Sequence, residues 1–160
     1  MGSVVRVKMA DISGKKRTSR ISVSRGRITM KKSTLRLVRE GGVEKGDVLS
    51  VAHVAAIHAA KMTPLVIPLC HPVSISHVLV AFEFEESPPA ILVRTEVRGH
   101  DRTGYEVESM TAASIALLTI YDMLKPVDSQ LEIGPIYLDA KSGGKSGAWT
   151  RPPRAGGKSR

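Results

Sequence analysis

The sequence predicts an α+β fold: a ferredoxin-like split βαβ antiparallel sheet with one additional helix. Three observations lead there. Two runs of period-two alternation, 75–85 and 90–98, are joined through Ser-Pro-Pro, the spacing of an antiparallel hairpin. A long helix-periodic run at 109–125 follows directly, and a strand-like run at 131–140 follows that. Ahead of them stand a further alternating run and two helical stretches, so the order is strand, helices, strand, strand, helix, strand.

The first strand covers 18–30. In RISVSRGRITM, Ile21 and Val23 face one way and Arg20, Ser22 and Ser24 the other, with a bend expected at Gly26. Ser33 is the expected cap of a short helix that ends at Val38, before Gly41-Gly42. Asp47 caps the next helix, VLSVAHVAAIHAAKM, which is apolar nearly all round and is expected to be buried. Pro64 and Pro68 are expected to break the chain ahead of LCHP. In the hairpin, Val78, Val80, Phe82 and Phe84 share one face of the first strand, and Ile91, Val93 and Val97 one face of the second. The long helix carries an apolar stripe of Met110, Ala113, Leu117, Tyr121 and Leu124, and Pro126 ends it.

With 160 residues and no internal repeat, the chain is expected to hold one domain. The reading places a basic, flexible N-terminus at 1–17, a single catalytic domain at 18–147 and a basic, disordered tail at 148–160. It contains neither an 18-residue uncharged apolar run nor a signal segment, which points to a soluble, cytoplasmic protein with no membrane partner. A lone cysteine, Cys70, excludes an intrachain disulfide and fits a reducing compartment.

Charge is segregated along the chain. Residues 1–39 carry 12 Lys/Arg and one acid, net +11; residues 40–140 carry 6 and 14, net −8; residues 141–160 add +6 with no acid. The basic ends are either solvated tails or cations that fold over a shared anionic ligand. A basic chain on a ferredoxin-like sheet also outlines a nucleic-acid-binding module. Against that stand an aromatic content of only 4% and a hairpin strand, VLVAFEFEE, that ends in acids. Single-strand recognition on such a sheet relies on stacked aromatics, so no nucleic acid is expected.

Several short stretches are able to carry chemistry. His71, between Cys70 and Pro72, is placed either as a general acid or base or as a histidine hydrogen-bonded at a turn. Glu106-Val107-Glu108 aims two carboxylates at one site if extended; in a helical first turn the pair merely suits the positive helix end. Asp122 and Lys125, three apart on one helix face, form a weak surface pair unless a ligand meets them. Gly46 lets Lys45 approach closely ahead of the second helix. His53 and His58, five apart, point about 140° away from each other on a helix, so no metal site is expected. His77 and His100 have no partner spacing.

KSGGKSG at 141–147 has Asp139 where a phosphate loop needs its first glycine, and a Pro/Gly-rich stretch instead of a following helix. The phosphate-loop reading therefore fails, and the residues alone leave open which anion this stretch would hold.

Taken in order, KGDVLSVAHVAAIHAAK, IPLCHP, TGYEVES, LTIYDMLK and KSGGKSG resemble the cyclic pyranopterin monophosphate synthase family, molybdenum cofactor biosynthesis protein C, from about Met9 to Gly147. The resemblance implies a ferredoxin-like α+β domain and a lyase. Its substrate is a small-molecule triphosphate, 3′,8-cyclised dihydro-GTP, and its products are cyclic pyranopterin monophosphate and pyrophosphate. A trimer of dimers with the site at a dimer interface is implied, and no redox or metal cofactor.

Carried over by position, Asp122 and Lys125 match the catalytic aspartate and lysine. Leu69, Cys70, His71, Val107 and Glu108 match substrate-contacting positions, and Lys45, Glu106, Lys141 and Arg20 further polar ones. Val107 replaces the family's usual Met and Leu124 a common Cys, with the charged spacing kept. On this reading Asp122 and Lys125 form a coupled proton-transfer pair whose neighbours push pKa values toward neutrality. Glu106, Glu108 and His71 orient and assist the ring, while Lys45, Arg20 and Lys141, with Lys145 beside it, meet the triphosphate.

Overall fold

A computed structural model describes residues 6–153. The elements are β1 (Thr18–Thr29), α1 (Lys32–Arg39), α2 (Val48–Val66), β2 (Ile75–Glu86), β3 (Pro89–Asp101), α3 (Glu106–Leu124), β4 (Glu132–Ile133), β5 (Tyr137–Ser142) and β6 (Trp149–Thr150). The sheet runs β2-β3-β1-β5-β6, with β4 pairing β1. Every pairing is antiparallel. This is the expected α+β fold, with the split βαβ order intact: β1 and β2 flank β3, and β5 returns on the far side of β1.

Alternation decides what each face of the sheet does. Ile28, Ile91, Val93 and Val97 are buried toward the helices, where Leu117, Ile120 and Leu124 of α3 meet them. The opposite face carries paired charges, among them Arg25 with Asp139 at 2.6 Å and Arg94 with Glu96 at 2.6 Å. Ser22, Ser24 and Thr95 are polar residues inside. The Ser24 hydroxyl lies 2.7 Å from that of Ser109, which in turn donates to the Glu106 carbonyl at 3.0 Å, and Thr95 donates to the Ser109 carbonyl at 2.7 Å. The helices α2 and α3 pack antiparallel through Ala52, Ala56, Ala60, Ala112, Ala113 and Ala116, all fully buried. Side chains this small bring the two backbones close. By length and composition α2 and α3 are each apolar enough to cross a bilayer, but α3 is the central core helix.

At Gly26 a side chain of α3 packs directly against the sheet. A Cβ there would lie 2.7 Å from Leu117 Cδ1 and 3.2 Å from Ile136 Cγ1. The expected bend is not at this glycine; the irregularity in β1 is a register shift against β5 between Val23 and Ser24. Gly26→Val is therefore expected to overpack the core and destabilise by about 1–3 kcal/mol. Urea unfolding checks this, and an unchanged midpoint would show that α3 can move off the sheet without cost.

Several boundaries differ from the sequence expectation. Ser33 does not cap α1. Lys31 is the N-cap and makes no side-chain cap bond. Instead buried Asp128, arriving from beyond α3, accepts from the Lys31 N–H at 2.8 Å and the Thr34 hydroxyl at 2.9 Å. A carboxylate at a helix N-terminus serves as a cap wherever it comes from. Pro64 lies inside α2, which runs to Val66, so only Pro68 marks a break.

The expected strand at 131–140 is interrupted at Gly134-Pro135, giving β4 and β5. Beyond Gly147 the chain forms β6 against β5, so the sheet extends past the expected domain boundary. The outermost parts of both expected terminal segments, 1–5 and 154–160, lie outside the described residues.

Candidate active site

The predicted site residues collect at the two ends of α3. At its C-terminal end, Asp122 is shared by two lysines. Lys125 Nζ lies 2.7 Å from Oδ1, and Lys45 donates to the Asp122 carbonyl at 2.8 Å and to Oδ2 at 3.2 Å. Lys45 arrives from the turn before α2, where Gly46 at φ +101° takes a left-handed conformation that favours glycine. That turn is closed by Gly46 N–H to Val43 C=O at 2.9 Å, and Asp47 caps α2 as expected through the Leu49 and Ser50 amides.

All three charged side chains are roughly half exposed. Lys125, then Lys45, hold the Asp122 carboxyl below the usual carboxylate range, and Asp122 raises Lys125 in return. This is the reverse of the expected drift toward neutrality. An exposed ion pair stabilises its charged forms, and only withdrawal from water would bring the two values together.

At the N-terminal end of α3 the helix begins at Glu106, not at 109, so the extended reading of Glu106-Val107-Glu108 does not hold. On a helix, residues two apart diverge, and the two carboxylates go separate ways. Glu106 stays at the surface and accepts from Lys141 Nζ at 3.0 Å. Glu108 turns inward, 1% exposed, and accepts from Cys70 Sγ at 3.3 Å, while its Oε2 has no hydrogen-bond partner. Burial pushes the Glu108 carboxyl upward, partly offset by its hydrogen bonds. Burial and then the Glu108 carboxyl push the Cys70 thiol up to about 11.

The neighbouring segment is pinned by Tyr105, whose hydroxyl donates to Ser74 C=O at 2.8 Å, and by Asp101, which accepts from the Ser74 N–H at 2.9 Å. His71 sits in this segment without a hydrogen bond among the described residues. The charge of Asp11 is near enough for the two to interact. Leu69 and Val107 are partly exposed apolar groups at the same end.

Glu108 carries a linkage prediction. A carboxyl raised in the folded state adds stability below its unfolded pKa, and that contribution is lost as pH rises through the folded value. Glu108→Gln, neutral at every pH, is therefore expected to gain thermal stability relative to the parent at pH 8 more than at pH 4. Thermal unfolding at both values checks this; an equal or smaller gain at pH 8 would mean that the buried carboxylate is not penalised.

Arg20 and Lys141 flank this end from the sheet. Lys141 and Ser142 belong to β5, paired with Ser22 and Ile21 of β1. So Lys141 is strand-borne, and the reversal is confined to Gly143–Gly147, with left-handed φ at Gly143, Gly144 and Gly147. Arg20 Nε donates to Asp101 C=O at 3.1 Å, and its Nη2 to Arg102 C=O at 3.4 Å. Its guanidinium faces a cleft of about 430 Å³ that Lys15, Lys16 and Lys145 also line. Sequence reasoning gave no site role to Lys15 and Lys16, because they lie ahead of the expected domain start. The basic N-terminal charge was the signal that pointed to them.

The two ends are sixteen residues apart on α3, a rise of about 24 Å, so one small molecule does not bridge them within one chain. Among the described residues no three His, Cys, Asp or Glu side chains converge as a metal site would require.

A ferredoxin-like sheet with carboxylates, a histidine, a thiol and several cations at its helix ends, and no aromatic platform among the described residues, defines an acid–base enzyme for a small anionic molecule. The chain belongs to the MoaC family, whose model matches residues 9–144. It is 48% identical to the cyclic pyranopterin monophosphate synthase of a Nocardioides species (strain JS614), across 91% of this chain and 90% of that one. The protein of the same name from Chloroflexus aurantiacus is 48% identical, covering 91% and 89%. That from Brucella ovis is 49% identical, covering 88% and 86%.

Proposed function

We propose that the chain is a lyase of molybdenum cofactor biosynthesis that converts 3′,8-cyclised dihydro-GTP to cyclic pyranopterin monophosphate and pyrophosphate. The observation that carries this reading is the Asp122 carboxylate shared between Lys45 and Lys125, in a chain nearly half identical to proteins named for that synthesis. Opening and rebuilding a ring system takes several proton transfers, and positioned acid–base groups supply about 10²–10⁴-fold each. Asp122 and Lys125 carry that exchange, with His71 as a further acid or base. Glu106, Glu108, Cys70, Leu69 and Val107 hold the ring, and Arg20, Lys45 and Lys141 meet the phosphates.

In this reading residues 18–147, extended by β6, are one catalytic domain of a cytoplasmic enzyme that assembles as a trimer of dimers. The separation of the two clusters supports a site completed by a second subunit. An apolar outer face on the helix pair supports self-association: Val54, Leu65 and Val66 of α2 and Leu118 of α3 are more than half exposed. Once a partner covers Asp122 and Lys125, their desolvation moves both pKa values toward the range a proton exchange needs.

The test is pyrophosphate release from the cyclised triphosphate by the purified chain, with the pterin product read by fluorescence after oxidation. Release with pterin formation is expected. A folded, assembled chain that leaves the compound untouched would end the reading.

A further inference from the structure

The segment that carries Cys70 and His71 has no helix or strand of its own: α2 stops at Val66 and β2 begins at Ile75. It is tied at two places. At its start the Cys70 N–H donates to the Ile67 carbonyl at 3.0 Å, and the thiol to Glu108 at 3.3 Å. At its end both backbone polar groups of Ser74 are taken by side chains. Tyr105 donates its hydroxyl to the Ser74 carbonyl at 2.8 Å, and Asp101 accepts from the Ser74 N–H at 2.9 Å. Between these ties His71 and Val73 make no hydrogen bond among the described residues. A stretch with so few bonds opens easily, so the place of His71 depends on the two ties.

The clamp on Ser74 is built rather than incidental. Tyr105 is fully buried and Asp101 nearly so, which leaves both side chains little water to turn to instead. A Tyr105 hydroxyl without Ser74 would be a buried donor with no acceptor, which costs more than the bond itself contributes. Asp101 is fixed in turn, its other oxygen accepting from the Arg102 N–H at 2.8 Å. Gly99 of β3 leaves the room, since a Cβ there would overlap both Tyr105 Oη and the Ser74 carbonyl. Tyr105 and Asp101 belong to the stretch that leads into Glu106 and Glu108 at the start of α3. The clamp therefore joins the two pieces of chain that supply this end of the site.

We infer that Tyr105 and Asp101 are positioning residues for the reaction, holding Ser74 so that Cys70 and His71 stand in fixed register with Glu108 and the ring bound there. The catalytic part of this rests on the lyase reading; the clamp itself does not. Tyr105, fully buried, cannot reach the ring and acts only through the segment it holds. Moving an acid–base group by about 1 Å costs about 10²-fold in rate, so a slackened segment loses turnover before it loses the fold.

The experiment compares the full wild-type chain with Tyr105→Phe, which keeps the buried ring and removes only the hydroxyl. Two rates are read well below the unfolding midpoint: turnover of the cyclised triphosphate, and reaction of the Cys70 thiol with dithionitrobenzoate. Cys70 is the only cysteine of the chain, so the second rate reports this segment alone. In the variant kcat is expected to fall about tenfold or more while KM stays within about twofold, because the segment shifts and the other substrate contacts do not. The thiol is expected to react about threefold faster, as its hold on Glu108 loosens.

A part in stability alone would leave both rates at their wild-type values in the folded protein. Wild-type kcat, a loss carried by KM alone, or a lost kcat with an unchanged thiol rate overturns the inference. If the wild type leaves the cyclised triphosphate untouched, the lyase reading falls and the thiol rate still decides. Faster labelling of the variant then upholds the clamp, and an equal rate ends it. Should Tyr105→Phe misfold, Asp101→Asn takes its place, keeping the side chain's size and giving up one of the two oxygens that Ser74 and Arg102 share. The same split between kcat and KM and the same faster thiol are expected, and unchanged rates overturn the assignment.

Discussion

Asp122→Asn and Lys125→Ala are each expected to fold and assemble normally and to lose pyrophosphate release by about 10²–10⁴-fold. Asp122 is the shared acceptor of Lys45 and Lys125, so asparagine keeps the shape and removes the charge that both ammonium groups face. Exposed ion pairs contribute little to stability, because water screens them and holding two long side chains costs entropy. Unfolding midpoints should therefore barely move while turnover collapses. Chemistry and folding separate at this cluster, which a buried network would not allow. Parental turnover in Asp122→Asn would take the central proton-transfer role away from the cluster.

The second large effect is a recovery. Asp122→Asn damages the C-terminal end of α3, and Lys141→Ala damages the part of β5 beside its N-terminal end. If one site draws one end from each of two subunits, co-expressing the two inactive variants assembles some sites from two undamaged ends. Random pairing gives an undamaged site about a quarter of the time, so about a quarter of parental activity should return. A site contained within one chain cannot be repaired by mixing, and the mixture would then stay at the level of its parents.

How much of this was legible in the sequence depends on whether the signal was local. The hairpin was, because Val78, Val80 and Phe82 alternate against Val93, Thr95 and Val97 across a turn too short for any other connection. So was the start of α2, where Asp47 accepts from two amides within three residues of itself. The start of α3 was misplaced because Tyr105, its N-cap, makes no side-chain cap bond. The cap of α1 comes from Asp128, far along the chain, and no window around Ser33 contains it. At Gly134-Pro135 the break was written in the sequence and overridden by the apolar run around it.

For the site, motif and residue type named the groups, but pairing was not legible. Nothing local joins Lys45 to Asp122 or Cys70 to Glu108, since the fold brings them together. Lys15 and Lys16 were passed over as part of a tail, because a basic segment with no period looks the same whether it is solvated or folded against a glycine turn.

The position of β1 has a consequence for how the protein is made. It precedes every other described strand in the chain, yet it lies inside the sheet, bonded to β3 on one edge and to β4 and β5 on the other. During synthesis its backbone amides and carbonyls wait first for the hairpin and then for β4 and β5. Until then the nascent chain exposes an unpaired strand edge beside an apolar helix pair, the combination that aggregates most readily. A ribosome stalled short of β5 would hold α1, α2 and α3 beside an open sheet. Chaperone demand should therefore peak late in translation.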